Sequence, residues 1–246
     1  VRWIAAANSI EDSTVGVALP PPVANRWAHL EWAPAKMVGA WCQGMIGNEY
    51  ALQMPLSEEA QTRLPAERAQ IAAFIHHRPE LFHSMPKEED KKDGPWPSAR
   101  TLDGTAHVWA ALGNADEELK LRLMVGLTGE YTAVEYIGWL KEMDLPDPEK
   151  VLAGEITEIV FPQRPDNTYA IMSAVISRVV NKYSHERYLN AWKCMDLLAQ
   201  GGAGDVAAAL VPSLESTTNG KQGVPDPSKY LEALIPILMR AGVVLR

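Results

Sequence analysis

Apolar residues recur at the spacing of an α-helix through nearly all of the sequence after residue 34. The segment around Trp41, Cys42 and Met45 shows this pattern, and Gly47-Asn48 ends it. Side chains three and four positions apart share one helix face, and an apolar face has to be buried against another element. The pattern therefore predicts a series of helices packed on one another. Further helices are predicted over residues 116–127, 130–143, 167–183, 185–199, 205–215 and 227–241.

Two helix starts are predicted from single residues. Pro65 is predicted as the first residue of a helix that carries Phe74, because a proline at that position gives up no N–H that the helix needs. Ser98 is predicted to cap the next helix, which ends near Gly113, because a serine oxygen accepts a hydrogen bond from the free N–H groups of the first turn.

The first 33 residues have a different pattern. Residues 3–7 form a short apolar run typical of a buried strand, and residues 27–32 indicate a second one. Between them, the three prolines at 20–22 exclude the interior of a helix. We therefore expect a mainly α fold that begins with two short strands.

The charge balance excludes some classes of function. The 246 residues include 23 Lys and Arg against 31 Asp and Glu, which gives a formal net charge of −8. Broad nucleic-acid binding needs clustered positive charge, which this balance opposes. No apolar run approaches the roughly 20 residues that span a bilayer. We expect neither a nucleic acid nor a membrane as a partner.

The two cysteines, Cys42 and Cys194, are too few for a disulfide framework. Two buried thiols in a reducing compartment are the favoured interpretation, and a single bridge between them is the alternative. The start of the sequence, Val1-Arg2-Trp3, does not resemble a signal peptide. These features predict a cytoplasmic location.

Common catalytic and cofactor motifs are absent from the sequence. Gly220-Lys221 comes nearest to a P-loop, but the glycine required five residues earlier is missing. There is no G-x-G-x-x-G, C-x-x-C or G-x-S-x-G motif. Three histidines lack the spacing of a metal-ligand set, and a polar helix edge is the favoured interpretation of His76, His77 and His83. Four tryptophans on apolar helix faces are predicted to lie in the core: Trp41, Trp109, Trp139 and Trp192.

Three short stretches, taken together, resemble the second half of an AAA+ ATPase module of the MoxR-like group. The first, Trp3-Ile4-Ala5-Ala6-Ala7-Asn8, is similar to the sensor I strand, which ends in a polar residue. The resemblance implies a catalytic role for Asn8, whose amide would help to place the attacking water beside the γ-phosphate.

The second stretch, Leu-Pro-Pro-Pro-Val-Ala-Asn-Arg-Trp at 19–27, resembles the family's Leu-Pro…Asp-Arg-Phe segment. The resemblance implies that Arg26 is a catalytic arginine finger that reaches the nucleotide of a neighbouring subunit. Asn25 stands where the family has Asp, and Trp27 stands where it has Phe. A guanidinium suits this role because it stays charged and spans several phosphate oxygens. An ion pair between Arg26 and a nearby carboxylate is the alternative of equal weight.

The third stretch, Trp96-Pro97-Ser98-Ala99-Arg100-Thr101, is similar to the Pro-[Ser/Thr]-Pro-Arg-[Ser/Thr]-Trp signature of sensor II. Ala99 replaces the second proline, and Leu102 replaces the tryptophan. The resemblance implies that Arg100 lies in the first turn of a lid helix and contacts the bound nucleotide. Ser98, as the cap, would fix the start of that helix.

The resemblance implies three domains: 1–33 as the C-terminal remnant of the AAA+ α/β core, 34–115 as a helical lid, and 116–246 as a helical C-terminal extension. It implies ATP and Mg²⁺ as cofactors of the intact enzyme, with no metal ligand in this chain. The expected partners are the neighbouring subunits of a homo-oligomeric ring and a protein substrate that the chaperone-like ATPase remodels. The P-loop and the acidic Walker B strand would precede Val1, so we expect the 246 residues alone neither to bind nor to hydrolyse ATP.

A different class of function stays open beside this one. An all-helical scaffold or adaptor without chemistry would use its grooves to hold peptides or helices of partner proteins. The two hypotheses differ in geometry: Asn8 and Arg100 converge on one cleft in the ATPase and lie apart in the adaptor. A hydrolase with buried carboxylates is a third hypothesis that no constellation in the sequence supports.

Overall fold

In the computed structural model of the chain, the residues whose structure is described are 20–27, 37–87, 93–143, 146–154 and 165–243. The chain divides into two compact units, residues 1–33 and 34–246. Each unit is described below by itself.

The described residues of the first unit contain one helical turn, α1 (Pro21–Ala24). Pro21 and Pro22 stand at its first two positions, where a missing N–H costs no intrahelical hydrogen bond. The turn ends at Asn25, and the backbone N–H of Arg26 donates to the carbonyl oxygen of Val23. The predicted strand at 3–7 lies outside the described residues, as does all of the one at 27–32 except Trp27.

The second unit is built from helices. They are α2 (Val38–Ile46), α3 (Glu58–His77), α4 (Ala99–Leu112), α5 (Glu117–Thr128), α6 (Glu130–Glu142), α7 (Pro148–Leu152), α8 (Pro165–Asn181), α9 (His185–Gln200), α10 (Gly204–Ser216) and α11 (Ile235–Ala241). Short 3₁₀ turns cover Pro79–Leu81 and Ser228–Tyr230. The part of the chain that the structure describes contains no strand, and the prediction of a mainly α fold is confirmed at that level.

The long helix α3 lies at the centre of this unit. It packs against α2, α4 and α8, while α5 packs on α4 and α6. On the other side, α10 packs against α2, α8, α9 and α11. Apolar side chains from Trp41 to Leu238 form one continuous hydrophobic cluster. The described residues of the second unit therefore share a single core, and the predicted functional division at residue 116 stays a prediction.

Aromatic residues supply much of that core. The ring centroids of Phe74 and Tyr136 lie 5.1 Å apart, and those of Trp109 and Tyr136 lie 5.2 Å apart. Pairs at this separation stabilise a core beyond the area that they bury. The predicted burial of the four tryptophans on helix faces is confirmed for Trp41, Trp109, Trp139 and Trp192.

The two cysteines are free and buried, as the sequence predicted. Burial raises the pKa of the Cys42 thiol to about 12, and the thiol contacts the carbonyl oxygen of Ala72. A thiol with so high a pKa forms little thiolate and is a poor nucleophile. Cys42 is thus part of the packing between α2 and α3.

The predicted start of α3 at Pro65 is wrong. The helix begins at Glu58, and the side-chain oxygen of Ser57 accepts a hydrogen bond from the N–H of Ala60. Glu58 and Glu59 in the first turn favour this start, because negative charge is stabilised at a helix N-terminus. Pro65 lies buried inside the helix, where its packing compensates for the single backbone hydrogen bond that it removes.

The predicted helix over 227–241 is also wrong in its extent. The segment forms the 3₁₀ turn Ser228–Tyr230 and then, after a break, α11. Pro236 explains the break, because it has no N–H to donate to the preceding turn and fits only at a helix start. It occupies the second position of α11.

Among the described residues, no helix combines the length and the apolar character that crossing a membrane requires.

Candidate functional site

The first turn of α4 is fixed by reciprocal side-chain caps. The Thr101 N–H donates to Ser98 Oγ over 3.3 Å, and the Ser98 N–H donates to Thr101 Oγ1 over 2.9 Å. Thr101 Oγ1–H in turn donates to the carbonyl oxygen of Trp96 over 3.0 Å. This capping box satisfies two N–H groups that a bare helix end would leave free. The predicted cap at Ser98 is confirmed, and so is the end of the helix near Gly113.

The segment that leads into α4 is held from two sides. The Ser84 N–H donates to the carbonyl oxygen of Pro97 over 3.2 Å, and the His83 ring meets the edge of the Trp96 ring at 5.1 Å. On the other side lies Gly129, at the junction of α5 and α6, where an added Cβ would come within 3.0 Å of the carbonyl oxygen of Pro95. The backbone before the helix is therefore fixed as well as the helix start.

Arg100 is the second residue of α4, and its side chain is exposed. Within the described ranges, no carboxylate or hydrogen-bond acceptor contacts its guanidinium. The N-terminus of a helix carries a partial positive charge, and this charge disfavours a cation there unless an anion is near. Arg100 therefore adds a full positive charge at a point where an anionic group would be stabilised.

A buried polar cluster lies one turn further along α4. The Asp103 carboxylate accepts three hydrogen bonds: from Arg68 Nε–H over 2.8 Å, from Arg68 Nη2–H over 3.2 Å and from Gln53 Nε2–H over 2.8 Å. The Gln53 backbone N–H donates to His107 Nε2 over 3.1 Å, which places the His107 proton on Nδ1, where it faces the Asp103 carbonyl oxygen at 2.8 Å. We call these four residues, Gln53, Arg68, Asp103 and His107, the Asp103 clamp.

Arg68 uses every N–H of its guanidinium. Besides Asp103, it donates through Nη1 to Asn48 Oδ1 over 2.6 Å and to the carbonyl oxygen of Tyr50 over 2.9 Å. Nη2 donates to the carbonyl oxygen of Ala51 over 3.2 Å. A buried charge is tolerated when it is paired and its remaining donors are satisfied. The clamp thereby holds the 48–53 segment against α3 and α4.

The clamp also reaches the first turn of α4 directly. Gln53 Nε2, which donates to Asp103, also lies 3.3 Å from the carbonyl oxygen of Arg100. Cap and clamp therefore hold the Arg100 backbone from both sides, while the side chain projects from a fixed turn. Chemically, the exposed guanidinium of Arg100 on this turn can bind and orient an anion. His107 Nδ1 also lies 3.5 Å from the Asp103 carboxylate, but both side chains are buried and packed within the fold.

The structure describes the other predicted site residues only in part. Asn8 lies outside the described residues. Arg26 follows α1 in the first unit, is exposed, and has no carboxylate partner among residues that are described. Arg26 and Arg100 belong to different compact units, and each is described within its own unit.

The histidines of α3, His76 and His77, lie on an exposed edge of the helix, as the sequence predicted. The His76 ring stacks on the ring of Tyr169, with centroids 3.7 Å apart, and burial lowers the pKa of His76. His77 Nδ1 lies 3.8 Å from the Asp166 carboxylate. Where the structure is described, no three His, Cys, Asp or Glu side chains are grouped so that they could hold a metal ion.

Sequence reasoning did not identify the Asp103 clamp. Arg68 and Asp103 are 35 positions apart, and neither belongs to a known motif. One signal was available: each is a charged residue among small and apolar neighbours on the buried face of its helix. A charge in such a position requires a partner, although the sequence does not say which.

Comparisons with known proteins add no relative. No protein-family model matches the chain, and no significant match was found among the curated proteins or among the solved structures.

Proposed function

We propose that this chain is the C-terminal portion of a MoxR-like AAA+ ATPase, in which ATP hydrolysis between subunits drives the remodelling of a partner protein. Arg100 contacts the nucleotide bound by its own subunit. The observation that supports the proposal best is the first turn of α4, where a capping box fixes the backbone and Arg100 projects without a protein partner among the described residues.

The physical basis is positioning. Phosphoryl transfer needs little covalent help from the protein and depends on charges placed where the phosphate oxygens will be. A guanidinium on a mobile segment would lose side-chain and backbone freedom on binding, which reduces affinity. A guanidinium on a capped helix turn has lost the backbone part of that freedom already.

Arg26 and Asn8 complete the proposed site. Arg26, exposed after α1, acts on the nucleotide of the neighbouring subunit, and Asn8 places the attacking water. An arginine that acts between subunits requires a homo-oligomeric ring. The intact enzyme uses ATP and Mg²⁺. Its phosphate-binding loop and its metal ligands come from outside these 246 residues, because the sequence contains no P-loop motif.

The test compares the chain alone with the chain joined to a phosphate-binding half. Alone, we expect no measurable binding of ATP at micromolar concentration by calorimetry. In the joined enzyme, Arg100→Ala should lower kcat/KM for ATP by about tenfold or more, the scale of losing one charged contact to the reacting phosphate. Arg122→Ala is the matched control, because Arg122 is also exposed but pairs with Glu118 on α5, and it should leave kcat/KM unchanged.

Mixed rings test the role of Arg26. Subunits with Arg26→Ala should lose activity alone and regain part of it when mixed with subunits that lack a working phosphate-binding loop but keep Arg26. Micromolar ATP binding by the chain alone, or full activity of Arg100→Ala, would contradict the proposal.

A helical scaffold or adaptor is the second candidate, and the exposed apolar side chains of Leu119 and Leu123 on α5 and Val134 on α6 favour it. It predicts that neither arginine affects a nucleotide-dependent reaction. A structure that shows Asn8 and Arg100 on opposite sides of the intact protein would favour it over the ATPase.

A further inference from the structure

The outer side of α6 carries four exposed residues that lie in one line along the helix. They are Glu130, Val134, Gly138 and Lys141. At 3.6 residues per turn, these positions fall within a sector of about 80° around the helix axis. The opposite side of the helix, which includes Tyr136, is buried in the core. We call the four exposed residues the α6 stripe.

The middle of the stripe is apolar and open. Val134 is 53% exposed, and a Cβ added at Gly138 would meet no atom within 4 Å. Glycine in the interior of a helix is less stable than alanine, so packing within the described chain gives no reason for a glycine at this position. A missing Cβ does allow another molecule to approach the helix backbone closely. The stripe therefore combines a projecting valine with a recess one turn away.

The two ends of the stripe carry opposite charges. Glu130 lies in the first turn of α6, and Lys141 lies in its last turn. Both are exposed, and within the described ranges neither side chain has an ion-pair or hydrogen-bond partner. By contrast, Glu135 of the same helix pairs with Arg78 over 2.7 Å. The charges at the two ends of the stripe are therefore available to a partner.

The order of these residues makes the stripe complementary to a reversed copy of itself. A two-fold axis that crosses α6 near residue 136 would bring the same helix of a second copy antiparallel to it. Val134 of each copy then lies opposite Gly138 of the other. Glu130 lies within one residue, about 1.5 Å along the helix axis, of the position opposite Lys141 of the second copy. Opposite charges meet at both ends, whereas a parallel pairing would bring like charges together.

We propose that the α6 stripe is the contact surface of a two-fold dimer of this chain, in which the two α6 helices pack antiparallel. The charge order along the stripe selects a second copy as the partner, because a two-fold interface requires one surface that complements itself. The inference does not depend on the proposed ATPase function. A ring is closed by contacts between two different surfaces of each subunit, whereas this contact joins two identical ones.

The first test is sedimentation equilibrium of the chain without nucleotide, from micromolar to millimolar concentration at low salt. One pair of helices buries less than the roughly 800 Å² per partner of a standard interface, so we expect a dimer with a Kd on the order of 100 μM. The Kd should rise with salt concentration, because exposed charges are screened within about 10 Å at 0.1 M ionic strength. A chain that stays monomeric at millimolar concentration, as it would if the stripe received a helix of a different protein, would overturn the proposal.

Charge-reversal variants test the pairing between the two ends. Glu130→Lys gives a stripe with two positive ends, and Lys141→Glu gives one with two negative ends. Each single variant should dimerise about tenfold or more weakly, because like charges then face each other at both ends of the contact. An equimolar mixture of the two variants should associate as a heterodimer, and the double variant should dimerise like the wild type. A merely structural role of either residue would not produce this recovery.

Matched variants control for net charge and for the position at a helix end. Glu58→Lys reverses an exposed charge in the first turn of α3, and Lys150→Glu reverses one in the last turn of α7. Each should change the Kd of the dimer by less than about twofold. Equal weakening by these variants and by the stripe variants, or a mixture of the two stripe variants that fails to associate, would overturn the proposal.

Gly138→Ala supplies a second readout that does not depend on charge. The added methyl group fills the recess opposite Val134 of the second copy and should raise the Kd of the dimer by about fivefold or more. It should not lower the thermal stability of the dilute monomer, because the Cβ meets no other atom of the described chain within 4 Å. Gly126→Ala on α5, where a Cβ is equally free, should leave the Kd unchanged. Dimerisation of Gly138→Ala at the wild-type Kd would overturn the proposal.

Discussion

The Asp103 clamp and the cleft that Glu49, Trp192 and Asp226 line treat charged side chains in opposite ways. In the clamp, Arg68 and Asp103 are buried, and all five guanidinium N–H groups have acceptors. In the cleft, Glu49 and Asp226 are exposed and take part in no ion pair among the described residues. Asp226 accepts hydrogen bonds from the N–H and the hydroxyl of Ser228, but it has no opposite charge beside it among the described residues. Both regions carry charge, and only the clamp pairs it with the opposite charge.

The difference shows what makes a charged side chain structural. A side chain whose hydrogen-bond and ion-pair partners all lie within the protein is structural, and one without such partners is available to a ligand. A buried charged side chain whose hydrogen-bond donors are all used has none left for a ligand. Removing it leaves its partner as a buried charge without a counter-charge. An exposed carboxylate without an ion pair can be exchanged for an amide at little cost to stability. Arg100 belongs with the cleft residues in this respect, although it lies one turn from the clamp.

The largest expected effect is that of Arg68→Ala. Removal of the guanidinium leaves the Asp103 carboxylate buried without a counter-charge, and we expect a loss of about 3–5 kcal/mol in the free energy of unfolding. Glu49→Gln in the cleft should change it by less than about 0.5 kcal/mol. Urea denaturation followed by circular dichroism measures both.

A double variant distinguishes a lost charge pair from lost packing. Arg68→Met combined with Asp103→Leu removes both charges and keeps most of the volume, and it should be more stable than Arg68→Ala. If the double variant were as unstable as the single one, the effect would come from groups other than the charge pair, namely lost packing or the lost hydrogen bonds from Arg68 to Asn48, Tyr50 and Ala51. If Arg68→Ala and Glu49→Gln cost the same, the contrast between clamp and cleft would be wrong.

A smaller effect is expected from Gly129→Ala beside the clamp helix. Gly129 has φ 84° and ψ 158°, a conformation open almost only to glycine, and a Cβ there would lie 3.0 Å from the carbonyl oxygen of Pro95. We expect a loss of about 1–3 kcal/mol, because backbone strain and the close contact add. The segment before α4 should loosen with it.

Gly126→Ala is the matched control for Gly129→Ala. Gly126 lies inside α5 in an exposed position, and a Cβ there meets no atom within 4 Å. Alanine should therefore stabilise the helix by up to about 1 kcal/mol. Thermal unfolding of the two variants should shift in opposite directions, and a shift in the same direction would refute the argument from the conformation of Gly129.

The parts of the fold that follow from local chemistry could be predicted from the sequence. Ser98 caps α4 because its oxygen lies three residues before a free N–H, and no distant contact is needed for that. The burial of Trp109 follows from its place on an apolar helix face. Pro65 failed as a helix start because a stronger local signal, Ser57 followed by two glutamates, lies about two turns upstream.

The clamp could not be predicted, because it depends on which helices pack together. Gln53, Arg68 and Asp103 meet only where α3 crosses α4 and the preceding loop folds back. The cleft likewise depends on the path of residues 224–227 past α9 and α10. Arg100 was identified through a resemblance in sequence, and the structure supplies the turn that supports it without testing the role.

The smallest expected effect on stability is that of Glu67, the neighbour of Arg68 on α3. Unlike Arg68, it has a buried polar atom without a hydrogen-bond partner among the described residues. Its Oε2 is buried and has no hydrogen-bond partner in the described part of the chain, and the same holds for the hydroxyl of Tyr136. Burial raises the pKa of Glu67, although Lys120 and Arg63 oppose the shift. The folded protein therefore holds this proton more tightly than the unfolded chain does.

The pH dependence of stability follows from that direction. Because the pKa of Glu67 is higher in the folded state, its contribution is fully present below the pKa of the unfolded chain and is lost as the pH rises through the folded pKa. Glu67→Gln carries no charge at any pH, so it should gain stability over the wild type as the pH rises from 4 to 8. Unfolding in urea across this range measures the gain. Glu232→Gln, at an exposed position, should follow the wild-type profile within about 0.5 kcal/mol, and a flat difference for Glu67→Gln would mean that its carboxylate is stabilised where it lies.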